Sequence, residues 1–181
     1  MKNFLNNLKK NYIYGILILL VIATVVLGLF LYRQRTEYVI QTENQYNLAF
    51  YELIDYIDDV ENYLAKSIVS SSVENGAKTL MHVWREANLA QVYLSQLPIS
   101  SNELANTSKF LNQVSEYSYS LATKCINNEK LTDEELNNLQ NLYDYSTNLT
   151  VTLEQLLNDM GSGNISWKEL TKDTDTALAQ Q

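Results

Sequence analysis

The chain has one proline, one cysteine, one histidine and five glycines in 181 residues. So little proline and glycine leaves little turn chemistry, which argues against sandwiches and βα units and for helices. The single cysteine, Cys125, has no partner for an internal disulfide, so stability must come from packing. The single histidine, His82, offers no convergent imidazole pair for acid–base or metal chemistry. Zinc-ligand spacing, a P-loop and a nucleophile elbow are all missing. The chain reads as non-enzymatic, with no catalytic residue, metal or cofactor expected.

What the sequence does contain begins with Ile13 to Tyr32, 20 residues without a charge, a proline or an amide side chain. As a helix this stretch is about 30 Å long, the thickness of a bilayer's hydrocarbon core. Tyr12 and Tyr14 lie at one end and Tyr32 at the other, as in an aromatic belt. A signal peptide would have a shorter apolar run and a small-x-small cleavage site; this run ends in Leu31-Tyr32-Arg33. The expected organisation is a short basic lead over 1–12, an uncleaved transmembrane anchor over 13–32, a bundle over 36–161, and a short helix with a polar tail or linker over 162–181. Thr24 and Gly28 form a small-xxx-small pair that would let two anchors approach, although such residues are ordinary in membrane helices.

Charge divides the chain. Residues 1–35 hold five Lys/Arg and no Asp/Glu, and residues 36–181 hold eight Lys/Arg against 21 Asp/Glu, a net of −13. An acidic domain of that kind repels phosphates, so no nucleic-acid partner is expected. Lys2, Lys9, Lys10 and the terminal amine outweigh Arg33 and Arg35, which places the N-terminus in the cytoplasm and the acidic domain outside.

Four helical seams follow the anchor. Tyr46, Phe50, Leu53, Ile57, Val60 and Leu64 recur by fours and threes, widened by Ile54 and Tyr63, within a helix expected over Thr36–Ser70 that continues the anchor without a breaker. Ser71-Ser72-Val73-Glu74 has the pattern of a capping box for a second helix, Ser72–Gln96, with Leu80, Val83, Ala87, Ala90 and Leu94 as its seam and Pro98 beyond its end. Ser100-Ser-Asn-Glu103 caps a third, Asn102–Asn127, along Leu104, Leu111, Val114, Leu121 and Cys125. Thr132-Asp-Glu-Glu135 caps a fourth, Asp133–Met160, with Gly161 placed as its C′ residue. The fold class is all-α: one N-terminal transmembrane helix continuing into an antiparallel up-down four-helix bundle.

Chemistry is sparse along these helices. A Cys125–His82 dyad would need an exposed thiol and an orienting third group, and Cys125 lies on an apolar face. Asp55, Asp58, Asp59 and Glu61 spread around a helical arc, as on a solvated face. Aromatic residues give more. Trp84 adjoins the seam residue Val83, so core packing is its default reading, yet Trp and Arg are also the commonest interface anchors. Tyr51, Tyr56, Tyr119 and Tyr145 lie off the best seams. The candidate partner-binding residues are Tyr51, Tyr56, Trp84, Arg85 and Trp167.

The ordered set Tyr46-Asn-Leu-Ala-Phe-Tyr-Glu-Leu53, Val83-Trp-Arg85, Ser95-Gln-Leu-Pro98, Tyr117-Ser-Tyr119 and Trp167, behind an N-terminal anchor, resembles the N-terminal region of the YpeB spore-germination protein family. The resemblance implies a non-enzymatic protein of the inner spore membrane, its bundle facing the cortex. It further implies a partner, a SleB-type cortex-lytic hydrolase, which the protein localises, stabilises and restrains. Family members continue into C-terminal PepSY repeats, absent up to Gln181, so a fragment is expected and any role of those repeats does not carry over. Two other readings stay open: an extracytoplasmic sensor domain of a chemoreceptor or sensor kinase, truncated before its second membrane helix, and a self-associating membrane-attached spacer.

Overall fold

The computed structural model describes residues 2–70, 72–98 and 102–170, with side chains from Leu19 onward except at 102–104. Ser71, Ser100 and Ser101 of the expected capping box, and the polar tail therefore lie outside the described residues, as do the side chains of Tyr12, Tyr14, the leading lysines, Asn102, Glu103 and Leu104. Among the described residues the long helices are α1 (Lys2–Ile68), α2 (Val73–Leu94), α3 (Asn102–Ile126) and α4 (Asp133–Gly161). A helical turn over 167–170 follows, and no strand occurs among the described residues.

Two compact units divide at Asn44 and Gln45. In the first, every described side chain from Leu19 to Asn44 is exposed. Among the described residues, this helix alone is long and apolar enough to cross a membrane. Its backbone groups bond within the helix, as a bilayer requires, and Thr24 Oγ1 donates to the carbonyl of Val21 at 2.8 Å. The sequence opens the bundle at residue 36; burial begins only at Ala49 and Phe50, because residues 36–44 have no buried position to fill.

The second unit is an antiparallel bundle, legible in its cross-helix contacts. Between α1 and α2, Tyr56 meets Tyr93, Tyr63 meets His82, and Ser67 meets Thr79. Between α2 and α3, Trp84 meets Tyr119 and Asn88 meets Ser115. Between α3 and α4, Phe110 meets Tyr145, Tyr117 meets Asn138, and Lys124 meets Glu135. In each pair the numbers fall on one helix as they rise on the other. One continuous core runs through all four helices. Its largest inaccessible side chains include Phe50, Leu53, Ile57, Leu64, Leu80, Leu111 and Leu139, all placed by the three-four spacing.

Helix ends explain where the chain turns. Ser72 caps α2, accepting from the amide of Asn75 at 3.2 Å, one residue after the start of the Ser71–Glu74 pattern. Thr132 and Glu135 form the full reciprocal capping box of α4. α3 closes with Asn128 at φ +62°, its amide bonding to Cys125 O and that of Glu129 to Lys124 O, the two bonds of a Schellman motif. α4 closes the same way, with Gly163 at φ +77° and bonds from the Gly163 and Asn164 amides to Met160 O and Asp159 O. Gly161 itself remains helical, so the left-handed residue is the second glycine of Gly161-Ser-Gly, where no Cβ opposes the conformation. Ser166 then starts the last turn, with Glu169 accepting from its backbone amide at 2.9 Å.

Candidate functional site

The five candidate residues do not converge. Tyr51, on α1, is 53% exposed. Tyr56 is half-buried, and its ring stacks on Tyr93 of α2 with centroids 5.4 Å apart and planes 19° apart. Burial, together with the nearby Tyr93 and Glu52, pushes its phenol above the usual tyrosine range. Two turns along, Tyr63 stacks on His82 at 4.6 Å, with Lys66 Nζ 4.7 Å from the Tyr63 centroid. The α1–α2 boundary is thus a ladder of paired rings.

Arg85 belongs to the same boundary. Its Nε donates to Glu86 Oε1 at 3.0 Å and its Nη2 to the same oxygen. Glu86 is only 3% exposed, while about half of the Arg85 side chain faces solvent. The hydrogen bond to Glu86 holds the guanidinium protonated even more firmly than usual. Burial pushes the Asp59 carboxyl up, and the negative charges of Glu86 and Asp58 add to that shift. Sequence reasoning missed Glu86. Its signal was spacing, since Glu86 falls three residues after Val83 on the seam that continues to Ala87 and Ala90.

Trp84 points to the other side of α2. Its ring lies 5.7 Å from Tyr119 of α3, tilted by 45°, and both rings are exposed. Asn88 supports the pair, donating to Trp84 O at 2.6 Å and to Ser115 Oγ at 2.9 Å. Trp167 takes a different place altogether. It is 6% exposed, lies 5.7 Å from the rings of both Tyr46 and Phe50, and its Nε1 donates to Asn47 Oδ1 at 2.7 Å. Packing inside the bundle occupies this ring, which leaves the solvent-facing aromatic surface of the bundle to Tyr51, Trp84, Tyr119 and Tyr145.

Cys125 is buried beside Gly76, whose added Cβ would lie 3.7 Å from the sulfur. Burial raises its thiol pKa, and nearby Glu135 raises it further, which disfavours the nucleophilic thiolate. His82 is engaged by Tyr63 on the α1 side of the same helix. Among the described residues, no three His, Cys, Asp or Glu side chains converge as metal ligands. What these surfaces offer chemically is recognition: exposed aromatic rings and one exposed guanidinium on an acidic helical body.

The YpeB N-terminal family model matches residues 34–169. The sporulation protein YpeB of Halalkalibacterium halodurans is 31% identical over 164 residues, which make up 91% of this chain and 37% of that protein. Its namesake from Oceanobacillus iheyensis is 28% identical over 167 residues, and that from Bacillus subtilis 28% identical over 171, each covering 92% of this chain and 37% of the relative. The chain thus spans little more than a third of the length of these curated relatives. No solved structure matches it.

Proposed function

The chain belongs to the YpeB N-terminal family, and from that premise we propose that it is a non-enzymatic, membrane-anchored spore germination protein that localises, stabilises and restrains a SleB-type cortex-lytic hydrolase. The observation that carries the reading is the family match together with relatives named as sporulation proteins. Physical features support it. A helix able to cross a membrane precedes an acidic bundle whose buried thiol and lone, ring-stacked histidine supply no reacting pair. Anchoring in the inner spore membrane, N-terminus inward and bundle toward the cortex, would confine a bound hydrolase to a thin layer and raise its effective concentration there. The docking contacts in this proposal are Tyr51, the Trp84–Tyr119 pair and Arg85, separate exposed groups of the kinds that dominate interface energetics.

The test is an immunoblot for the hydrolase in dormant spores lacking this protein, with and without a copy encoding residues 1–181. Restoration by this copy, and its loss with Trp84→Ala plus Tyr51→Ala at unchanged protein level, is the expected result. Hydrolase levels that never depend on the protein would sink the proposal. Restoration only by a longer protein would move recognition out of the bundle and leave the bundle as a tether.

A further inference from the structure

Beside its buried seam, α3 carries a second stripe at three- and four-residue steps, from Asn106 to Ser120, and α4 carries a matching one from Asn138 to Tyr145. They face each other across a groove of about 900 Å³, the size of a small-molecule site. By helical rise from 106 to 120 it is about 20 Å long. Its floor is apolar: Phe110 is buried, Leu142 is half-buried, and the Phe110 and Tyr145 rings lie 4.5 Å apart. Tyr145 is 43% exposed, so one ring presents itself to the groove's contents.

The walls are amides. Asn106, Gln113 and Asn141 are exposed and make no side-chain hydrogen bond among the described residues. Asn138 Nδ2 donates to the Tyr117 hydroxyl at 3.3 Å, which fixes that pair and leaves its carbonyl oxygen available. The only charges are Lys109 and Glu116, one of each sign. This lining is neutral within a region, 36–181, of net charge −13.

A primary amide offers donors and an acceptor together, and so matches an acetamido group, which has one N–H and one C=O, at two points. A flat aromatic ring suits the apolar face of a pyranose. Balanced charge gives no advantage to phosphates or to strongly charged peptides. An extended peptide would seek a free sheet edge, which two helices do not offer, and an amphipathic helix would need a longer apolar stripe than Phe110, Leu142 and Tyr145 make among these amides. We propose that the α3–α4 groove binds a neutral glycan of N-acetylated amino sugars. This site is separate from the docking contacts proposed above, and either can fail without the other.

The test is calorimetric titration of the full 1–181 chain, in a detergent without sugar headgroups, with the β-1,4 tetramer of N-acetylglucosamine. Saturable binding is expected. The exposed pair Gln113→Leu with Asn141→Leu should weaken it by about tenfold or more, with helicity and unfolding midpoint unchanged. Tyr51→Ala, outside the groove, should leave affinity intact. The β-1,4 glucose tetramer, which lacks acetamido groups, should bind about tenfold more weakly or not at all. No saturable binding of the amino-sugar tetramer, equal affinity for the glucose tetramer, or undiminished affinity in the double variant each overturns the proposal. So does binding of an uncharged extended peptide in place of the tetramer.

Discussion

Between α1 and α2 the buried positions are filled by Phe50, Leu53, Ile57, Val60 and Leu64 on one helix and by Leu80, Val83, Ala87 and Ala90 on the other. On α3 and α4, beside apolar residues such as Phe110, Leu111, Val114 and Leu139, hydroxyl side chains hold five buried places: Thr107, Ser115, Ser118, Ser146 and Thr150. The first pair gains about 1.5–3 kcal/mol from each fully buried large apolar side chain. The second gains less per position, because Ser146 and Thr150 spend their hydroxyls on backbone carbonyls of their own helix. It is secured instead at one end, where Lys124 Nζ bonds both Glu135 carboxylate oxygens at 2.8 Å and Thr132 caps α4. Helix pairs in one bundle can thus divide the work, with apolar volume holding one interface and terminal polar contacts the other. The interface with smaller buried groups is also the one with an open groove.

Three measurements would break or sharpen that contrast, each on the full chain in detergent. The largest effect is expected for Phe50→Ala, which should cost about 3–5 kcal/mol in denaturant unfolding, whereas Ser146→Ala should cost about 1 kcal/mol or less. Equal losses would mean that the two interfaces are packed alike.

The second measurement uses pH, since the two pairs carry acids shifted in opposite directions. Burial alone would raise Glu135, but the hydrogen bonds from Lys124 and Thr132 outweigh it and hold the carboxyl below its ordinary value. Its stabilisation is complete above the ordinary carboxylate range and disappears as pH falls through the lowered folded value. Glu135→Gln should therefore lose stability at pH 7, with the gap to wild type closing in acid. Asp59 is raised, first by burial and then by Glu86 and Asp58. Its ionised form destabilises the fold above the raised value, and the penalty vanishes as pH falls to the ordinary carboxylate range. Asp59→Asn should be the more stable protein at pH 7 and lose that advantage in acid. Parallel pH profiles for the two variants would contradict the assignment. The smallest effect is expected at Ser118, whose buried Oγ has no hydrogen-bond partner. Ser118→Ala should be neutral or slightly stabilising, since it removes an unsatisfied group; a clear loss in the same unfolding assay would show that Oγ is partnered in solution.

Much of this arrangement is legible in the sequence because helical burial follows the three-four spacing directly. Phe50, Leu53, Ile57, Val60 and Leu64 are all inaccessible, as are Leu80, Val83, Leu111, Val114 and Leu139. The Thr132 cap is equally direct, because Thr132 and Glu135 lie within one turn of each other. The candidate site was less legible, since its residues are sorted by neighbours on other helices. Tyr56 reads as exposed until Tyr93 is seen to cover it. Trp84 reads as core until it is found beside Tyr119, half in solvent. Trp167 reads as a surface anchor because nothing near it in sequence reveals that a left-handed Gly163 turns the chain back toward Tyr46 and Phe50. The α3–α4 groove was missed for the same reason: its amides are unremarkable in an Asn-rich chain until two helices place them face to face.

The bond from Trp167 to Asn47 joins residues 120 positions apart. During synthesis at about 5–20 residues per second, the two are separated by on the order of ten seconds. Through that interval α1 can pair with α2, then α3 and α4 can follow, each through contacts with the helix just made. Tyr46 and Phe50 still lack their indole cover. A released chain interrupted between α4 and residue 167 would therefore have four helices and an uncovered aromatic end, a surface on which chaperones or another unfinished copy could act. Completion of this bundle waits on one tryptophan that follows its fourth helix.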